Sequence, residues 1–266
     1  MANLRSDSRI RLMVCGLGLL ACSAEARDLV QTIPVVKPSI VGVGTYMVLR
    51  QQQDKLLGSG FVVADGHYAV TNSHVVPKDL DEGRRETVTV YIPAGGNRAQ
   101  RRPAKVRLRD PVHDVCLLRF AGAPVRAMRL GRAEDVQEGE PIAFTGFPIL
   151  NVLGLHPATN RGIISAITPY IVPVNSGREL REGVLRRLSR PFQVFQLDAT
   201  AYPGNSGSPL YEVDSGRVIG IVNSVFVKAS KEMALEERAI SAPSGITYAI
   251  PVTYLRRLLD RAKLRY

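Results

Sequence analysis

The sequence predicts an all-β chain whose barrel-or-sandwich pattern occurs twice, in units of similar size, followed by one C-terminal helix. Three observations predict it. From residue 36 to 125, short apolar runs alternate with turn signals; a second series of such runs follows a polar bridge around Gly131 to Glu140; and the period then changes, so that Tyr254, Leu255, Leu258 and Leu259 form a helical stripe within Val252 to Leu264, read as core. The 266 residues, 45% of them hydrophobic, can bury a sizeable core. No internal run is long enough to span a bilayer. The expected division is a targeting segment at 1–26, an N-terminal unit at 27–130 and a C-terminal unit at 131–266.

In the first unit the candidate strands are Ile40 to Leu49, Gly58 to Val63, Tyr68 to Val70, Thr87 to Ile92, Lys105 to Arg109 and Val115 to Phe120. In Lys105-Val106-Arg107-Leu108-Arg109 the charges alternate with apolar residues, so the basic run reads as a solvated face. In the second unit the runs are Ile142 to Pro148, Gly162 to Ala166, Gln193 to Leu197, the segment from Pro209, and Gly220 to Val225. Val174 to Pro191, with five arginines, and Lys228 to Pro243 read as loops, the latter partly helical.

Chemistry concentrates in Asp198-Ala199-Thr200-Ala201-Tyr202-Pro203-Gly204-Asn205-Ser206-Gly207-Ser208-Pro209-Leu210. Ser206 sits among residues too small to shield it. A hydroxyl nucleophile needs a base to take its proton and donors to hold the oxyanion it generates. Gly204 can turn the backbone so that its N–H and that of Ser206 face one space, and Gly207 lets the chain pass close behind. Of His67, His74, His113 and His156, His74 lies where a strand, Tyr68 to Val70, runs into a short turn. A carboxylate must then orient the imidazole. Asp114, at the mouth of an apolar run, is the candidate, and Asp110 is its rival.

The order His74, Asp114, Ser206 and the stretches Thr71-Asn72-Ser73-His74-Val75-Val76, His113-Asp114-Val115-Cys116-Leu117-Leu118, Gly204-Asn205-Ser206-Gly207-Ser208-Pro209-Leu210 and Gly245-Ile246-Thr247-Tyr248-Ala249-Ile250-Pro251 resemble trypsin-like serine proteases, nearest the bacterial HtrA/Deg-like branch. The resemblance covers roughly residues 36 to 260. It implies a chymotrypsin-like double barrel, two six-stranded antiparallel β-barrels with a C-terminal helix and a cleft between them. It also implies a serine endopeptidase that acts on unfolded or exposed protein segments with no metal or organic cofactor. The expected alternative is a protease-like fold serving as a binding or chaperone module.

The same resemblance lays out a substrate pocket from Thr200, Asn223, Ser224 and Val225. Thr200 lacks the charge that would receive lysine or arginine, Val222 stands where glutamyl endopeptidases carry a histidine, and Val225 narrows the wall. The expected cuts therefore follow small or medium aliphatic residues. Ser39-Ile40-Val41-Gly42 has no basic residue directly before Ile40 and Asn205 carries no charge, so an ordinary strand and no zymogen cleavage are expected. The chain ends soon after its last helix, so a member of that branch without a PDZ domain is expected.

Residues 1–26 read as a signal peptide: Arg5, Arg9 and Arg11, an apolar run from Leu12 to Cys22, and Ala24-Glu25-Ala26. Leu19-Leu20-Ala21-Cys22 resembles a lipobox, which offers lipid anchoring through Cys22 as the alternative. An exported, periplasmic or secreted bacterial protein is expected. Cys15 and Cys22 fall in that segment, so Cys116 is left alone as a small buried residue. Three basic and two acidic residues leave with the segment, which takes the net charge from +11 to +10. A field of that sign favours protein substrates with acidic segments and anionic envelope surfaces. Nucleic acid is not expected, because tryptophan is absent and the basic runs lack interleaved aromatics. An oligomer is compatible with the family.

Overall fold

The computed structural model describes residues 28–96, 98–148, 155–170, 192–223 and 246–266. A helix, α1 (Leu29–Val36), precedes six strands: β1 (Ile40–Tyr46), β2 (Asp54–Val63), β3 (Tyr68–Asn72), β4 (Thr87–Pro93), β5 (Ala99–Asp110) and β6 (Val115–Phe120). Then come β7 (Pro141–Gly146), β8 (Ala158–Pro169), β9 (Gln193–Asp198), β10 (Pro209–Glu212), β11 (Val218–Asn223), β12 (Ile246–Pro251) and a closing helix, α2 (Val252–Arg261). The first six close into a barrel in the order β1-β2-β3-β6-β5-β4. The last six close as β7-β8-β9-β12-β11-β10, the same order repeated. This is the chymotrypsin-like double barrel that the sequence predicts.

Strands β1, β3, β6 and β11 are rich in consecutive apolar residues because they are buried on both faces, whereas β5 and β8 are largely exposed or half-buried. In β6, Cys116, Leu118 and Phe120 point into the first barrel with Val41, Val43, Val62 and Val90. Val115 and Leu117 point the other way, into a shared core with Phe61, Val70, Phe147 and Ile221 that joins the barrels. Leu117 and Leu118 are both fully buried, and each such side chain contributes about 1.5–3 kcal/mol by leaving water. The second barrel fills its own interior with Ile142, Phe144, Ile164, Leu197, Leu210 and Val222. Helix α2 buries Val252, Leu255, Leu258 and Leu259, so the C-terminal stripe is core as expected.

Three details depart from the sequence reading. The first is α1, which the sequence reading does not include: Asp28 caps it by accepting from the Leu29 amide at 2.6 Å, and Thr32 and Val36 pack beside Gly216 of the β10–β11 turn. Next, β1 stops at Tyr46, because Val48 and Leu49 are exposed. Finally, β5 does not keep one solvated charged face. A bulge between Val106 and Leu108 shifts the alternation, so Val106 is 40% exposed and Arg109 turns inward. Cys116 is a free thiol, and burial pushes it up to about 11. Residues 1–27 and the stretches 174–191 and 228–243, which the sequence reads as loops, lie outside the described residues.

Candidate active site

His74 stands in a single helical turn, Ser73–Val75, that leaves the end of β3. The β5–β6 turn lies beside it, because β3 and β6 pair up to Asn72 opposite Val115. Asp114 closes that turn with φ +55°, the left-handed region that a non-glycine residue enters at a cost of about 1–2 kcal/mol. Its bonds hold it there. The Asp114 carbonyl accepts from the Ser73 amide at 3.0 Å and from Asn72 Nδ2 at 3.1 Å.

Both oxygens of the Asp114 carboxyl are engaged. Oδ1 accepts from the His74 amide at 2.8 Å, while Oδ2 lies 2.6 Å from His74 Nδ1 and accepts from Asn223 Nδ2 at 2.6 Å. With a carboxylate at Nδ1, the neutral imidazole carries its proton there and leaves Nε2 as an acceptor. The carboxyl is nearly buried, but the His74 side chain keeps 31% of its surface exposed. The ring is therefore accessible to a substrate while its orienting partner is shielded.

Asp110, the rival carboxylate, serves a different histidine. Its Oδ2 lies 2.7 Å from His113 Nδ1, and its Oδ1 accepts from the Val112 and His113 amides. Burial works to raise its pKa, and the bonds from the His113 ring and amide outweigh it, holding the carboxyl below the usual carboxylate range. His113 stacks on Tyr254 of α2 at 4.0 Å between ring centroids. This pair fastens the β5–β6 turn to the closing helix.

Ser206 lies in the turn between β9 and β10, and the first barrel carries that turn. Ser59 of β2 is its mount: the Ser59 amide donates to the Ser206 carbonyl at 2.8 Å, and Ser59 Oγ donates to the Gly204 carbonyl at 2.6 Å. Ser59 Oγ in turn accepts from the Phe147 amide at 2.9 Å. Gly204 and Gly207 have φ of +101° and +90°, so the two glycines that the sequence marks as turn-formers do adopt glycine conformations. A Cβ on Gly207 would run into the Ser59 carbonyl and the Thr71 hydroxyl. At Gly58, a Cβ would meet the Ser206 carbonyl on one side and the Val75 methyls on the other, each at 2.9 Å. The nucleophile candidate and the turn that bears His74 thus flank one glycine.

Of the pocket candidates, Thr200 is half-buried in a segment held by Thr247 Oγ1, which accepts from the Ala201 amide at 3.0 Å. Asn223 directs its amide to Asp114, a contact the sequence reading does not assign to it. Ser224 and Val225 lie outside the described residues.

Two further residues were missed by sequence reasoning. Arg109 Nη1 donates to the Ser73 and Val76 carbonyls at 3.0 Å each, and Nη2 to the Pro77 carbonyl at 3.3 Å, so its guanidinium fastens the turn on both sides of His74. Its place in a basic run hid this. Ser59, between Gly58 and Gly60, carried only a weak signal: a hydroxyl flanked by residues that permit close approach. Among the described residues, no group of three or more His, Cys, Asp or Glu is placed to hold a metal ion.

Residues 58–221, more than half of the chain, match the model of the trypsin-like peptidase domain. The chain belongs to the trypsin-like peptidases. Its similarity extends to the DegP-like relatives within them. It is 26% identical to a probable periplasmic serine endoprotease DegP-like from Pseudomonas fluorescens, over 91% of this chain and 50% of that protein. It is 30% identical to the protein of the same name from Ectopseudomonas mendocina, over 80% of this chain and 36% of the relative. This trypsin-like chain therefore spans half or less of the length of these relatives. A solved HtrA-type protease, AlgW with a tripeptide, shares the fold with a TM-score of 0.60 at 23% identity, over 88% of this chain and 63% of that one.

Proposed function

We propose that this trypsin-like peptidase is a serine endopeptidase that cleaves unfolded or exposed protein segments by acyl transfer, with Ser206 as nucleophile, His74 as general base and Asp114 as the orienting carboxylate. The observation that carries the reading is the Asp114 carboxyl, bonded at 2.6 Å both to His74 of the first barrel and to Asn223 of the second.

Ser206 Oγ attacks the scissile carbonyl carbon as its proton passes to His74 Nε2. Asp114 stabilises the imidazolium that results, and the amides of Gly204 and Ser206 receive the oxyanion. The tetrahedral adduct collapses, the peptide nitrogen leaves with the proton from His74, and water enters by the same route to release the acid. The pocket from Thr200 to Val225 takes small or medium aliphatic side chains, since a buried cationic side chain there would have no partner at Thr200. Export to the periplasm fits the names of the relatives, and protein or peptide substrates follow from the chemistry.

A fluorophosphonate probe tests the reading, because it labels only an activated serine. The folded protein should label at Ser206, and the Ser206→Ala and His74→Ala variants should not. A folded wild type that stays unlabelled would overturn the proposal. Mass-spectrometric mapping of the products from a denatured protein tests the pocket: predominant cuts after lysine, arginine or glutamate would sink the aliphatic preference alone.

A further inference from the structure

Beyond Thr89 and Pro103, where the pairing of β4 with β5 ends, the first barrel opens into a groove that the catalytic reading does not use. One section, about 630 Å³ in volume, has a floor of Leu80, Val88, Ala104 and Phe120 with Lys105 and Arg119 on its lip. A second section of about 470 Å³ shares Leu80, Val88, Ala104 and Lys105 and continues to Pro77, Lys78 and Arg109. The groove therefore runs from the β5–β6 ladder up to the back of the turn that carries His74.

Its charge is one-sided. Lys105 and Arg119 are exposed and stand directly opposite each other across the β5–β6 pair, an arrangement that destabilises a sheet unless an anion intervenes. Among the described residues neither has an acidic partner within ion-pair distance, whereas Arg50, Arg84, Arg101 and Arg132 all do. The acid that lines the groove, Glu86, is already engaged by the Thr45 hydroxyl at 2.6 Å and by Arg50 at 3.0 Å. Cations thus remain uncompensated above an apolar floor.

That combination selects the occupant. A bare phosphate would leave the aliphatic floor wet, and a lipid surface meets convex patches better than a groove. A chain with aliphatic side chains spaced between carboxylates satisfies both halves at once. We propose that this groove docks an extended acidic segment of a protein partner, with aliphatic side chains on Leu80, Val88 and Ala104 and carboxylates on Lys105 and Arg119. The proposal goes beyond the proteolytic reading and does not depend on it, since binding is measured without turnover.

The test uses the full chain carrying Ser206→Ala and a fluorescein-labelled hexapeptide alternating glutamate with leucine, followed by anisotropy. The acidic peptide should bind at least tenfold tighter than its glutamine–leucine counterpart. Lys105→Glu combined with Arg119→Glu should weaken it at least tenfold, and Leu80→Ser severalfold. The milder pair Lys105→Gln and Arg119→Gln should weaken it about threefold, and it serves if charge reversal impairs folding. Equal binding of the two peptides, or binding unchanged by the Lys105 and Arg119 substitutions, would overturn the proposal. So would binding confined to phosphatidylglycerol vesicles, or charge reversal that alters only self-association in sedimentation.

Discussion

In the first barrel, His74 and Asp114 lie 40 residues apart and meet through two neighbouring strands of one sheet, with Arg109 of the adjoining strand fastening the turn that bears His74. In the second barrel, the Ser206 turn bonds to itself and to Val222 of β11 but draws further support from outside, since Ser59 of β2 holds the carbonyls on both sides of Asn205. The two barrels share a strand order, so topology does not make this difference. It comes from what each turn can bond locally. The Asp114 turn takes most of its bonds from the end of β3 in its own sheet, the Ser73 and His74 amides and the Asn72 side chain, and adds one across the interface from Asn223. The Ser206 turn, built on two glycines with positive φ, has few side chains to offer and leans on the other barrel. The His74–Asp114 pair should therefore persist under conditions that loosen the barrel interface, and the Ser206 turn should not.

The largest effects come from removing the parts themselves. Ser206→Ala and His74→Ala should each lower hydrolysis of a denatured protein by about three orders of magnitude or more while the fold survives. Asp114→Asn should also be severe. If Asp110→Asn cripples turnover and Asp114→Asn does not, the assignment of the carboxylate is wrong.

Next is the mount of the nucleophile turn. Gly207→Ala brings a Cβ against the Ser59 carbonyl at a left-handed φ, and should cost about 3 kcal/mol or more of stability in urea unfolding. An unchanged midpoint would show that the turn does not rely on the first barrel.

Arg109→Met sharpens the contrast from the other side. It should lower kcat about ten- to hundredfold with KM within about threefold, because it loosens the turn under His74 without touching substrate. Arg109→Lys should recover little, since a single ammonium cannot reach three carbonyls in fork geometry. A rise in KM with kcat preserved would place Arg109 in substrate binding instead.

The smallest effect belongs to Asp110. Its folded pKa is depressed, so it contributes stability above the unfolded carboxylate value of about 3.9 and loses that contribution as pH falls through the folded value. Melting curves between pH 6 and pH 2 should show the wild type losing more stability across the acid end than Asp110→Asn. Parallel losses would mean that the His113 pair does not stabilise the folded state.

The sequence alone determined the all-β class, the repeated strand series, the closing helix and the three residues proposed for catalysis. Each was visible because its signal is local: alternation along a strand, a helical stripe, a serine between glycines, a histidine after a strand. Only tertiary structure shows which histidine each of Asp110 and Asp114 bonds, since the two sit four residues apart before the same strand. Asp110 spends its oxygens on the amides and ring of its own turn, and the left-handed backbone at Asp114 turns the other carboxyl to His74. The bulge that turns Arg109 inward, the Ser59 mount and the Asn223 bond were likewise beyond sequence reading. Each depends on register, and a shift of one residue exchanges the faces of a strand without changing its composition.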